Sequence, residues 1–363
     1  MTERRQSPSR RRTRMTGKPS RLLSLEAATF LYLLIWIPYI ALTKGLSSIS
    51  QPGIGRPMTG LEILPISIIL IWAFTYAFLF LSGWWRSAHY VKLGGLRIPH
   101  PIFWTLLSGI GSGLLLTTVP LSFTFVGVSI PFMQLLMRGD VLVIAPLVDL
   151  ANRRKVRWWS LVALVLVFIG MAVAIWGRGG LNIPPMAILA IVLYGVGYLV
   201  RLNSMTKVAK SGDAGSLKRY YVEEQLVGTP FAILGLALIV LLSHGPQAAQ
   251  LKFGFTQAWS TPSFPYLIGI AALSFVQSVL AARILLDPHE NSYCVPLERS
   301  ASVLGGLIAA YLLAIGWGLP YPTGPELVGA LFLIGAILVL SMGPRLGKRA
   351  APSIPPIASE ERA

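Results

Sequence analysis

Gln134, Arg138 and Asp140 lie inside an apolar run, 125–149, that is long enough to cross a bilayer. A charge at that depth costs at least ~2.5–3.5 kcal/mol on insertion scales, so it needs a partner or water. Gln134 precedes Arg138 by one helical turn and shares its face. Asp140 stands about 200° from Arg138 around a helix, so the two cannot pair on a regular turn. Two readings of Arg138 stay open. It binds an anionic substrate group or polarises a coupling carboxylate, or it belongs to a buried pair that fixes helix register. Gln134 is either a substrate hydrogen-bonding group or interhelical glue. Gly139 lets the helix bend or admits a close neighbour.

A second charged pair, Glu298 and Arg299, follows Pro296 in another apolar run. Glu298 is a candidate for loading and releasing a coupling proton, or else it pairs with a basic group such as Arg201 or Arg283. Adjacent helical residues point about 100° apart, so separate partners are expected for Glu298 and Arg299. Glu223 and Glu224 open the seventh apolar run, where the helix dipole favours acids in any case. Ser108 and Ser112 in the third run, with Ser274, Gln277 and Ser278 in the eighth, give small polar faces. Gly109 and Gly113 suit close backbone packing, and Tyr194 and Tyr198 either line a cavity or pack in the core.

The elements that must hold these groups follow from composition. The chain is 54% hydrophobic and 12% charged, with mean hydropathy +0.66, whereas soluble domains carry roughly 25% charged residues. One cysteine, Cys294, allows no intrachain disulfide, and the four histidines (His89, His100, His244, His289) are scattered. No metal site, cofactor, phosphate loop or nucleophile elbow is expected, and the expectation is that the chain is not an enzyme. The net charge of +17 sits on short flanks between apolar runs, which is membrane topology rather than a nucleic-acid surface.

The fold class expected is an all-α membrane protein of ten transmembrane helices. The spans are roughly 22–43, 61–83, 101–121, 125–149, 158–176, 185–202, 222–243, 264–285, 293–315 and 325–343. Residues 1–21 form a basic tail too polar to bury a core, and 345–363 a second tail. With both termini cytoplasmic, the outside segments hold only Lys44, Arg56, Arg178 and Lys252, and the remaining flank Lys and Arg are inside. Trp84, Trp85, Trp158, Trp159, Trp176 and Trp317 fall at span ends, where such rings anchor. The 244–263 connection reads as a short interfacial helix. Residence in a bacterial inner membrane or an organellar membrane is expected.

An internal repeat is visible. Pro131 and Gly170 are spaced as Pro296 and Gly335 are; Leu107, Ser108 and Ser112 are echoed by Leu273, Ser274 and Ser278; Glu62 and Ser82 are spaced as Glu223 and Ser243. The unit is five spans, an odd number, so its second copy enters the membrane from the other side. The basic stretch 152–157 and its uncharged counterpart 318–324 agree. The division expected is a five-helix repeat at 22–178 and an inverted one at 179–344, the architecture of alternating-access carriers.

This arrangement resembles the drug/metabolite transporter superfamily of EamA type over most of the chain. Gln134 to Gly139 resembles the Q-x-x-R-G segment of carriers related to nucleotide-sugar and chloroquine-resistance-type transporters. The segment from Glu224 to Gly228 resembles their E-x-L-x-G. Asp140 directly after the R-G pair departs from that pattern. The resemblance implies a central cavity lined mainly by the first, third and fourth spans and their repeat mates. The expected function is a secondary carrier of a small polar or amphipathic metabolite, proton-coupled or exchanging. Its partners would be that substrate, the lipid bilayer and a second copy in a homodimer, with no nucleic acid. The alternatives are a membrane-embedded lipid-modifying enzyme and a non-transporting assembly subunit.

Overall fold

The computed structural model describes residues 24–139, 158–180, 183–208, 215–287 and 291–350. Among them, nine helices are long and apolar enough to cross a membrane. They are α1 (Leu25–Ser48), α2 (Gly60–Leu81), α3 (Phe103–Ser122), α5 (Trp158–Gly177), α6 (Pro185–Val208), α7 (Ser216–Leu242), α9 (Phe264–Leu285), α10 (Asn291–Trp317) and α11 (Gly324–Ala350). The chain is a multi-pass integral membrane protein. A helical run at 130–139, α4, is the described part of the fourth expected span. Asp140, the rest of that span, the basic stretch 153–157 and both chain ends lie outside the described residues.

Local sequence sets the helix starts. Ser24 caps α1, its Oγ accepting from Ala27 N at 3.2 Å. Thr59 precedes α2 and its N–H reaches the Glu62 carboxylate at 2.9 Å. Glu62 also takes a two-pronged bond from Arg56 (2.6 and 2.9 Å), and this holds the Arg56 guanidinium above its ordinary pKa.

Several helices outrun their hydropathy, α7, α10 and α11 among them. α7 starts at Ser216, α10 at Asn291, and α11 continues to Ala350, because backbone hydrogen bonding carries on past the apolar window that marks a span. Glu223 and Glu224 therefore sit inside α7 rather than in its first turn, and both are fully buried. The helix-dipole explanation for them does not apply.

Two connections have structure. Between α2 and α3 a hairpin pairs β1 (Tyr90–Leu93) with β2 (Leu96–Pro99), Lys92 facing Arg97. Gly94 and Gly95 turn it with φ of 54° and 88°, a region glycine enters freely. The interfacial helix expected between the seventh and eighth spans is α8 (Pro246–Thr256).

Small residues let the backbones approach, as they must where lipid competes for apolar contact. A Cβ on Gly111 of α3 would lie 2.5 Å from the Gly197 carbonyl of α6. Those on Gly109 and Gly113 would strike Val227 and the Gly228 carbonyl of α7. Gly170 and Gly329 do the same for α5 and α11, and Gly139 packs against Val167 and Met171 of α5. α1 packs on α9 and α10, and α2 on α7, α8 and α9. The outer surface is apolar, as at Leu161, Val165 and Phe168 of α5 and Leu189, Val192 and Val196 of α6. Trp158, Trp176 and Trp317 are exposed at helix ends.

Candidate functional site

The spans enclose a cavity of about 120 Å³ whose walls come from α1, α3, α4, α6, α7, α9 and α10, with none from α2, α5 or α11. Among the described residues, three guanidiniums and one carboxylate line it: Arg138, Arg201, Arg299 and Glu298. Arg138, Arg299 and Glu298 are each only 4% exposed.

Tyr194 of α6 is the hub. Its hydroxyl accepts from Arg138 Nη1 and from Arg299 Nη1, the latter at 2.7 Å. A phenol oxygen has two lone pairs, so it can accept both. Arg138 also lies over the rings of Trp36 (5.3 Å) and Tyr194 (5.5 Å), and Arg299 over Tyr198 (4.3 Å). These faces offset part of the desolvation cost of each cation. Tyr194 and Tyr198, one turn apart, stack at 6.2 Å.

Glu298 accepts from the Tyr32 hydroxyl of α1. Arg299 Nε comes within 3.2 Å of Glu298 Oε2, although the direction of the N–H gives neither atom a hydrogen bond. The expectation of wholly separate partners is therefore corrected: both side chains are long enough to bend back across the turn. Neither Arg201 nor Arg283 pairs with Glu298. Arg201 grips Glu224 of α7 with two bonds (2.7 and 3.1 Å), and Arg283 pairs with Asp287.

Glu224 also accepts from Ser108 (2.8 Å) and Tyr220 (3.3 Å). This knot joins α3, α6 and α7 behind the cavity wall, and only Arg201 of the four lines the cavity. Its neighbour Glu223 faces elsewhere. It accepts from His89 N (3.0 Å), Thr105 Oγ1 (2.7 Å) and Ile102 N (3.4 Å), and lies 2.6 Å from His89 Nδ1. The hairpin is pinned to α7 by these contacts.

Of the residues singled out in the sequence, Arg138, Glu298, Arg299, Ser112, Ser274, Gln277 and Ser278 meet at the cavity. Gln134 does not. Its amide donates to the Ser302 carbonyl of α10 at 2.9 Å and lies where a Cβ on Gly306 would fall. Ser108 and Glu224 belong to the knot behind. Asp140 lies outside the described residues. Ser278 bonds to Tyr221 at 3.0 Å, whereas the buried Gln277 Nε2 has no hydrogen-bond partner among the described residues. Sequence reasoning passed over Tyr32, Trp36 and Tyr39 of α1 and Gln225 of α7. Their three- and four-residue spacing on α1 is that of any packed helix face, so no chemical signal marked the aromatic trio.

At one end of the bundle polar ties close the spaces between helices. Lys44 donates to the carbonyls of Phe125 (2.9 Å) and Val128 (3.2 Å). Glu326 accepts from Arg178 (2.8 Å) and Ser129 (2.6 Å). No cluster of three or more His, Cys, Asp or Glu able to hold a metal occurs among the described residues.

No protein-family model matches the chain. No curated protein matches it either. A solved crystal structure of a protein is similar to it at 14% identity over 88% of this chain and 98% of that one, with a TM-score of 0.47.

Proposed function

We propose that the chain is a secondary carrier that moves a small polar or amphipathic metabolite by exposing the central cavity to each side of the membrane in turn. The observation that carries this reading is the set of helices around the cavity. With the chain taken as two five-span halves, α1 corresponds to α6, α3 to α9 and α4 to α10. Those three pairs supply the walls, joined by Gln225 of α7.

The packing supports the same division. Exchanging the halves turns α3 on α6 into α9 on α1, and α3 on α7 into α9 on α2; all four contacts occur. α5 on α11 and α2 on α7 map onto themselves. Glu62 and Glu223 also correspond. Glu223 holds the hairpin between α2 and α3. The Glu62 carbonyl lies against Gly254 of α8, the connection at the matching place in the second half. A site enclosed by like-built, oppositely directed halves is the geometry in which rocking alternates access. Glu298, bonded to Tyr32 of α1 and next to Arg299, is the group suited to couple a proton to that exchange.

The test needs no knowledge of the substrate. Ser274→Cys in a Cys294→Ala background, reconstituted in liposomes, is treated with a membrane-impermeant maleimide from either side. Alternating access predicts slow labelling from both sides, with reaction from one side protecting against the other. Labelling from one face only, under every pH gradient imposed, would overturn the reading.

A further inference from the structure

The charges around the cavity do not balance. Arg201 spends its guanidinium on Glu224, and Arg299 stands against Glu298. Arg138 makes no hydrogen bond or ion pair with a carboxylate among the described residues, although Glu298 is near enough to act on it electrostatically. The bonds and contacts of Arg138 go to the Tyr194 hydroxyl and to two aromatic rings. Two guanidiniums thus converge on one tyrosine oxygen, and among the described residues Arg138, Arg201 and Arg299 face only Glu298 and Glu224, so one positive charge is left over in a largely buried site. Buried cations without an anion are costly, and guanidinium is the group whose fork fits carboxylate and phosphate oxygens. On another wall, Gln277 offers an amide N–H that nothing among the described residues accepts. Trp36, Tyr39, Leu115, Leu116 and Val119 give the lining its apolar part, beside the polar Ser112, Gln225, Ser274 and Ser278.

We infer that the cargo is a small organic monoanion with an apolar or aromatic body and a second hydrogen-bond acceptor. Its acid group offsets the excess positive charge at Arg138, and its acceptor satisfies Gln277. A dianion would leave the site with a net negative charge, and a cation would add to the existing excess. The inference rests on the carrier reading for how the ligand leaves, but not for how it binds.

The experiment measures binding to the purified full chain in detergent, by calorimetry and thermal shift. The probes are 4-hydroxybenzoate and 3-phenyllactate as monoanions, 4-hydroxybenzyl alcohol as the neutral match, tyramine as the cation and terephthalate as the dianion. Monoanions are expected to bind in preference to all three others. Arg138→Gln should weaken them by roughly 10- to 100-fold, as expected for loss of a charge-assisted bond. Arg138→Lys, which keeps the charge, should recover part of the loss. Gln277→Leu should weaken 4-hydroxybenzoate more than benzoate, which lacks the acceptor. Equal binding of the neutral or cationic probe, or no response to any monoanion by a protein that unfolds cooperatively, overturns the inference. Monoanion binding lost in Arg138→Gln, together with one-sided labelling of Ser274→Cys, would leave the ligand class standing and remove the carrier reading.

Discussion

At the scale of single residues, the buried ions among the described residues divide into those tied by hydrogen bonds to an opposite charge and those, such as Arg138, held by uncharged groups. Arg201 and Glu224 illustrate the first kind. Their bond is two-pronged, the carboxylate is fully buried, and Ser108 and Tyr220 satisfy its remaining capacity. Removing one partner leaves the other charged, buried and unpaired, which costs about 3–5 kcal/mol. Arg201→Leu and Glu224→Leu should each lower thermal stability in detergent strongly, and the double variant should lose less than the two losses added together. Additive losses would mean that the two groups do not act as a pair. Gln134 also ties helices together. Its bond to the Ser302 carbonyl joins α4 to α10, so Gln134→Leu should cost about 1 kcal/mol of stability and leave ligand affinity within about twofold. A larger fall in affinity than in stability would return Gln134 to the binding site.

At the scale of helices, close approach through glycine decides which faces meet. α3 turns Gly111 toward α6 and Gly109 and Gly113 toward α7, with Cβ positions that would overlap backbone atoms. Gly111→Ala should therefore destabilise by about 1–3 kcal/mol, as overpacking does. Gly235 of α7 has open space where a Cβ would stand, so Gly235→Ala should gain about 0.5–1 kcal/mol from helix propensity alone. Unfolding followed by tryptophan fluorescence distinguishes the two, and an equal response at both positions would refute the packing account. Nine of the ten expected spans were legible in the sequence, because crossing a bilayer demands an unbroken apolar run, and most of the remaining one lies outside the described residues. The ends of α7, α10 and α11 were not, since hydropathy records the membrane rather than the helix. The hairpin carried a readable signal, Gly94-Gly95 between two short alternating segments, hidden only by its brevity. Arg138 and Glu298 announced themselves as charges among apolar residues. The Tyr32, Tyr194 and Glu224 contacts did not, because bonds between spans far apart in sequence depend on how helices pack, and a tyrosine in an apolar helix looks like any core aromatic.

At the scale of the whole molecule, oppositely directed halves make a prediction that no single contact makes. The hairpin lies between α2 and α3 and α8 between α7 and α9, which in the proposed two-halves reading is the same place in each half. If the halves enter the membrane from opposite sides, these two connections must lie on opposite faces, although each is an exposed, structured cap over the other half's second helix. The charges suit this: Arg86, Lys92 and Arg97 lie on the α2–α3 side and only Lys252 on α8, as a cytoplasmic and an external face would divide them. Lys92→Cys and Lys252→Cys, both at exposed positions, can be placed singly in the Cys294→Ala background. In right-side-out vesicles an impermeant maleimide should label Lys252→Cys at once and Lys92→Cys only after the membrane is opened. Labelling of both from the same side would make the number of crossings between them even. With the fourth expected span counted beside α3, α5, α6 and α7, five crossings separate the two connections, so that outcome would mean that the fourth expected span does not cross, and the two-halves reading would fall with it.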